Sequence, residues 1–327
     1  MTASGRPAYA EGTLVPVDAY KLASSYVLKA QYDKAEAVFD SLMAEYPGEP
    51  SCPLMIAAVL QYRAIDYEDE SRKDEIKRLL NRAESLARLR IRDDGDDLWA
   101  RYYFYSAKSL KAVMSVNSGN FVHGITQGIS GSRGMQWIVG ENPDFYDAYL
   151  MIGSYRFWKS VAVHPVSWLP LIGDDRERGI EEVEKAMGRG HLNGPLSGTV
   201  LMEMLLAHDC LRAVDLGERL LNEHPTCRLF AWQLGEAYKR CGRWDDAYRI
   251  LTRLAQDMSG DPADDGSGPL RCWWKLAVLA EDLGREEDMA LCCENILDAA
   301  DNNSLLRLRQ KKRIEGARRM LETIRND

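Results

Sequence analysis

A chain of 327 residues exceeds what one hydrophobic core usually supports, so it is either two or three domains or one elongated stack of repeats. Its composition, 46% hydrophobic and 28% charged, is that of a folded protein and not of a disordered one. A formal net charge of -8 sets the molecule as a whole against nucleic acid and anionic lipid unless charge is locally segregated, and no apolar run approaches the roughly 20 residues of a membrane helix.

Residues 1–15, beginning MTASGRPAYAEGT, lack the basic start and apolar stretch of an intact signal peptide and read as a flexible segment. The expected compartment is cytoplasmic on the sequence as given, and periplasmic if a signal peptide has been removed. From residue 16 to 302 the pattern is that of one helical-repeat domain. Leu22, Ala23 and Tyr26 lie on a first helix; Tyr32, Asp33, Lys34 and Ala35 open a second, with Phe39, Leu42 and Pro47 behind them. Large residues three or four apart make one apolar face, and a small alanine lets the two helices cross closely. The proline then stops the second helix. Residues 51–67 and 71–92 read as a longer pair, and 96–117 with 120–140 as another, rich in aromatics at its start (Trp99, Tyr102, Tyr103, Phe104, Tyr105). A further first helix covers 144–160, with Ile152 and Gly153 in large–small places. Its partner is delayed to about Asp174 by the insertion 160–173, SVAVHPVSWLPLIG.

The register then returns three times. From Gly194 it gives Ala213, Leu220 and Pro225. From Arg228 it gives Leu234, Gly235 and Tyr238, a turn at Gly242, then Trp244, Asp245, Asp246 and Ala247, with Leu251 and Leu254 inward and Pro262 beyond. From Leu270 it gives Trp273, Leu276, Ala277, Gly284 and Ile296, with Met289 in place of the crossing alanine. Gly194 and Arg228 stand 34 residues apart; Arg228 and Leu270 stand 42 apart, the surplus of eight being the loop DPADDGSG within 260–268. Leu306, Ile314, Ala317, Leu321 and Ile324 give the tail, 303–327, one apolar face, and it reads as a capping helix over the last repeat. No strand-like alternation competes. The expected fold is all-α, an α-solenoid of about seven antiparallel helix pairs with a C-terminal capping helix.

These registers resemble the tetratricopeptide repeat. The segments NPDFYDAYLMIGSYRFWKS, SWLPLIGDDRERGIEEVEKA and HPTCRLFAWQLGEAY are similar to a family of bacterial tetratricopeptide proteins. The interrupted LP…GDR…G…L…A portion also resembles the eukaryotic tetratricopeptide 39 and inclusion-body-clearance family. The resemblance implies binding and scaffolding, with no enzymatic chemistry, catalytic residue or cofactor. It further implies which places meet a partner: the second, fifth, ninth, twelfth and thirteenth of each repeat. Carried across, these are Trp232, Glu236, Lys239 and Arg240 in one repeat, Trp274, Glu281 and Asp282 in the next, and Tyr20 and Ser24 in the first. Rings supply contact area while Lys and Arg fix carboxylates, so a protein or peptide segment is the expected partner. The competing reading has Trp232 and Trp274 packing between neighbouring repeats.

Other chemistry finds little footing. Five scattered histidines include no HExxH, and Cys272, Cys292 and Cys293 read as small buried residues, so no metal is expected. Seven cysteines, an odd number inside helical patterns, argue against a disulfide scaffold and for a reducing compartment. Asp261 to Gly266 fails the calcium-loop spacing, since Ala263 and Cys272 occupy the third and twelfth places. GISGSRG, residues 128–134, is neither a phosphate loop nor a nucleophile elbow and suits close helix packing. In the tail, Arg309, Lys312, Arg313 and Arg319 form either a basic patch for an anion or simply the polar face of the cap. Trp168 and the two prolines of the insertion either present an apolar surface or fold back inside. The leading expectation is a scaffold with a protein partner in its groove. The alternative is an envelope- or membrane-associated assembly factor using the insertion or the basic tail; no nucleic acid is expected.

Overall fold

The computed structural model describes residues 15–163, 173–192, 194–301 and 303–326. Among them no strand forms, and sixteen α-helices succeed one another. These are α1 (Val17–Val27), α2 (Tyr32–Glu45), α3 (Ser51–Tyr67), α4 (Lys73–Asp93), α5 (Leu98–Asn117), α6 (Phe121–Glu141), α7 (Asp147–Val163) and α8 (Arg176–Arg189). A 3-10 turn, Gly194–Leu196, then leads into α9 (Ser197–His208), α10 (Cys210–Glu223), α11 (Arg228–Arg240) and α12 (Trp244–Ser259). The last four are α13 (Ser267–Asp282), α14 (Glu286–Asp301), α15 (Ser304–Arg309) and α16 (Lys311–Asn326). The all-α reading and the order of helix pairs hold. The expected flexible segment 1–15 lies, but for its last residue, outside the described residues, and so do residues 164–172 of the insertion, Trp168 among them.

The described chain forms two compact units. One comprises residues up to 63 together with 70–207, and the other residues 64–69 together with 208–327. Within each, helices pack on their neighbours in sequence, α4 through α8 in the first and α10 through α14 in the second.

The turn between the two helices of a pair repeats one device. The amides of Gln31, Asp69, Asn120, Arg243 and Arg285 donate to the carbonyls five residues back, those of Tyr26, Ala64, Ser115, Tyr238 and Ala280. The residue before each donor is left-handed: Ala30 (φ 54°), Glu68 (φ 49°), Gly119 (φ 80°), Gly242 (φ 72°) and Gly284 (φ 65°). This is the Schellman closure, which satisfies carbonyls that the helix end would otherwise orphan. Glycine takes the angle without strain at three of the five turns; Ala30 and Glu68 take it with a side chain.

Small residues set how closely helices approach. Ala35, Ala213 and Ala247 are fully buried where their helix pairs cross, and Met289 is buried in the equivalent place. In the α7–α8 pair the small residues are Gly153 and Gly179, where a Cβ on Gly179 would meet the Gly153 carbonyl at 2.7 Å. On α6, Gly131 and Gly134 leave room for Ser109 and for the ring of Tyr105 on α5, both of which a methyl group would strike. GISGSRG is thus the packing face of α6.

Two expectations need amendment. The tail is two helices and not one: it breaks at Gln310 between α15 and α16, with Asn303 capping α15 by accepting from Leu305 and Leu306. Helix α16 packs on α13 and α14, burying Ile314, Ala317 and Leu321. Second, Cys210 and Cys241 are disulfide-bonded, with Cα atoms 5.6 Å apart. Cys210 opens α10 and Cys241 follows the last residue of α11, so the antiparallel packing of those helices brings the two ends together. The other five cysteines are free and buried, and burial pushes the thiols of Cys292 and Cys293 up to about 11.

Candidate interaction surface

In the second unit α11 and α13 lie side by side. The Arg271 guanidinium stacks 3.4 Å from the centre of the Trp232 ring, and Lys275 Nζ lies 3.7 Å from Glu236 Oε2. Trp232 itself is buried, and its indole Nε1 donates to Asp66 Oδ1 at 3.1 Å. The chain's own residues 65–69 therefore take up one end of this face. Arg271 donates to the Ile65 carbonyl at 2.9 Å, the Tyr67 hydroxyl donates to Asp261 at 2.8 Å, and Arg313 clasps Glu68 through both terminal nitrogens. Arg228 lies 3.5 Å from Asp66 and is hydrogen-bonded to Asp261.

The electrostatics of this end are internally matched. Burial opposes ionisation of Glu68, but Arg313 and Arg271 outweigh it and hold the carboxyl below its ordinary value. Asp261 is likewise held low against burial, chiefly by the hydrogen bond from Arg228. Burial lowers Arg271, and Glu68 offsets this only in part. Charges so enclosed are structural: removing one partner would strand the other.

Toward the C-terminal end of α11 the face opens. Trp232, Gly235, Glu236 and Lys239 line a shallow depression with Ala247, Leu251, Lys275 and Leu279. Glu236 and Lys239 are half-buried, Arg240 is exposed, and Arg240 donates to Glu236 at 3.2 Å. Glu281 and Asp282 are exposed at the end of α13. Trp274 is half-buried against α16, its ring filling the space beside Gly316. Tyr20 and Ser24 belong to the first unit. Tyr20 is fully buried there, its hydroxyl 3.3 Å from that of Tyr103 and its ring against Phe39, while Ser24 is half-buried. The structure thus brings Trp232, Glu236, Lys239 and Arg240 together and commits both tryptophans to packing.

The basic tail is divided in the same way. Arg309 donates to Asp265 at 2.6 Å and lies 3.3 Å from Asp69, and Arg313 is held by Glu68, whereas Lys312 and Arg319 are exposed. Sequence reasoning missed the segment 65–69 and its partners Arg228 and Arg271. Their one signal is an arginine set among apolar neighbours, as in Leu270-Arg271-Cys272-Trp273, where a buried charge needs a distant acid.

Tetratricopeptide-repeat family models match residues 19–48 and 233–265, the first over α1 and α2 and the second from α11 through α12 into the following loop. No curated protein matches the chain. Among similar solved structures is the C-terminal part of a TPR repeat-containing protein of Cytophaga hutchinsonii, at 15% identity, covering 88% of this chain and 97% of that one, with a TM-score of 0.43. Another is a tetratricopeptide repeat protein of Parabacteroides merdae, at 10% identity, covering 94% and 98%, with a TM-score of 0.42. A third, described as a human IFIT1 dimer with PPP-AAAA, has 14% identity, covers 97% and 79%, and has a TM-score of 0.43. The two family matches, each lying on a helix pair, identify tetratricopeptide repeats at these two places in the chain.

Proposed function

We propose that the chain is a non-catalytic scaffold that holds a protein segment against the open part of the α11–α13 face. Tetratricopeptide repeats are generally non-catalytic protein-interaction modules, which gives the coarse reading. The observation that carries the finer one is the set Glu236, Lys239, Arg240 and Lys275, charges of both signs around a depression floored by Gly235, Ala247 and Leu251. Such a floor offers apolar contact at the surface, while the flanking charges fix the backbone and acidic groups of an extended segment. Trp232 shapes the floor from below rather than reaching the partner.

The test is capture from native lysate on the purified protein, beside a Lys239→Glu/Arg240→Glu variant. Both substitutions lie on partly or fully exposed positions, and circular dichroism checks that the variant folds. A protein retained by the parent and reduced about tenfold or more on the variant supports the assignment. Equal retention on both moves the partner away from α11 and overturns it.

A further inference from the structure

From Leu98 to Gly140 the chain carries no aspartate or glutamate, where fifty such residues in 327 would place about six or seven. They span helix α5, the turn after it and helix α6 up to its last residue, Glu141. The charges of the two helices are Arg101, Lys108, Lys111 and Arg133 against Glu141, so a hairpin of net charge +3 sits inside a chain of net charge -8. This is the local segregation that the overall charge conceals.

The tip of that hairpin is apolar and uncovered. Val113 and Val116 at the end of α5 are 54% and 41% exposed; Phe121, Val122 and Ile125 at the start of α6 are 61%, 77% and 59% exposed. The Val116 side chain fills the space beside Gly124, so the two helix ends touch and their residues form one patch. Single exposed aliphatics are ordinary, but five within thirteen residues at one end of a hairpin are not. Back from the tip come the cations. Arg133 is exposed about 12 Å along α6 from Ile125 at 1.5 Å per residue. Arg101 lies 4.2 Å over the ring of the exposed Trp137, about 18 Å along α6 from Ile125, while Lys111, nearer the tip, is neutralised by Glu84.

That order, hydrocarbon first and basic and aromatic groups behind, is the order of an interfacial anchor. The hydrocarbon enters the boundary between headgroups and acyl chains, and cations meet phosphates. Nucleic acid offers phosphates but nothing for Val, Ile and Phe at the leading edge. Among the described residues no helix is long and apolar enough to cross a membrane, so the contact is with a surface. The geometry points to the α5–α6 tip as a docking site for an anionic phospholipid surface, with Val113, Val116, Phe121, Val122 and Ile125 entering it.

The test is flotation of the full chain with vesicles of phosphatidylcholine alone and of phosphatidylcholine with phosphatidylglycerol. The parent should float with the anionic vesicles, less so at high salt. Val122→Asp/Ile125→Asp, at two exposed positions, should cut flotation about tenfold while circular dichroism is unchanged. No flotation by the parent, or undiminished flotation by the folded variant, overturns the proposal. Equal flotation with both vesicle types overturns the choice of anionic lipid. A parent that is dimeric by light scattering, becomes monomeric on the same substitutions and ignores vesicles would show a second copy covering the tip instead. These residues lie in the first unit and the α11–α13 face in the second, so either reading can fail while the other stands.

Discussion

Ala30 and Glu68 hold the same left-handed backbone for different returns. Ala30 carries only a methyl group there and no charged contact, so Ala30→Gly should stabilise the protein by about 0.5–1 kcal/mol in denaturant unfolding. At Glu68 the relief of strain is set against the loss of its contacts with Arg271 and Arg313, and Glu68→Gly should destabilise by about 1–3 kcal/mol. Stabilisation by both substitutions would contradict this account of residue 68. Asp264 gives a prediction in pH. Burial raises its carboxyl to about 6, against the lowering effect of the Gly268 and Gly266 amides that donate to it. An aspartate in the unfolded chain titrates near 3.9, so from about pH 4 to about 6 the folded state keeps a proton that the unfolded state releases. This group's contribution to stability therefore falls as the pH rises through that window and stays low above it. Asp264→Asn should gain on the parent at pH 7 and lose that advantage by pH 4.5 in thermal unfolding. A difference that does not change with pH would contradict it. None of this is visible in sequence at Asp264 or Glu68. Burial and a partner some 245 residues away decide the behaviour of Glu68, whereas glycines 242 and 284 announce the turn by their identity alone.

At the level of elements, the crossing alanines, the stop at Pro47 and the glycine after the first helix of a pair were readable because they are short-range requirements of two helices that touch. The extent of α4 through α8 was readable for the same reason, since each helix buries its face on its sequence neighbour. The break at Gln310 was not, because the apolar spacing of Leu306, Ile314 and Ala317 runs through it without interruption. The disulfide was legible in principle. Once 210–223 and 228–240 are read as an antiparallel pair, the start of one helix must lie beside the end of the other. Closing that loop of about 30 residues is worth about 3.6 kcal/mol by chain entropy. Protein purified without reductant and alkylated after denaturation should therefore show five reactive thiols. Cys210→Ser/Cys241→Ser should unfold at lower denaturant than the parent. Seven reactive thiols in the unreduced protein would contradict the pairing.

For the molecule as a whole, the repeat names a class of work, and the open charges on α11 and α13 are where we propose it is done. Aromatic residues at the family's contact positions turned out to be structural: Tyr20 is core, Trp232 is bonded to Asp66, and Trp274 lies on Gly316. Their register predicts which helix face they occupy, but not whether another segment of the chain already covers it. The charged members Glu236, Lys239 and Arg240 remain at the surface because ionised groups resist burial without partners. The central claim is that this face is where a protein segment is held. The measurement that bears on it most directly places a photo-crosslinking residue at Arg240 or, as control, at the exposed Arg253 on α12, with irradiation in native lysate. The account predicts a discrete crosslinked protein from position 240 and none from 253. The same adduct from both positions, or from 253 alone, would contradict it.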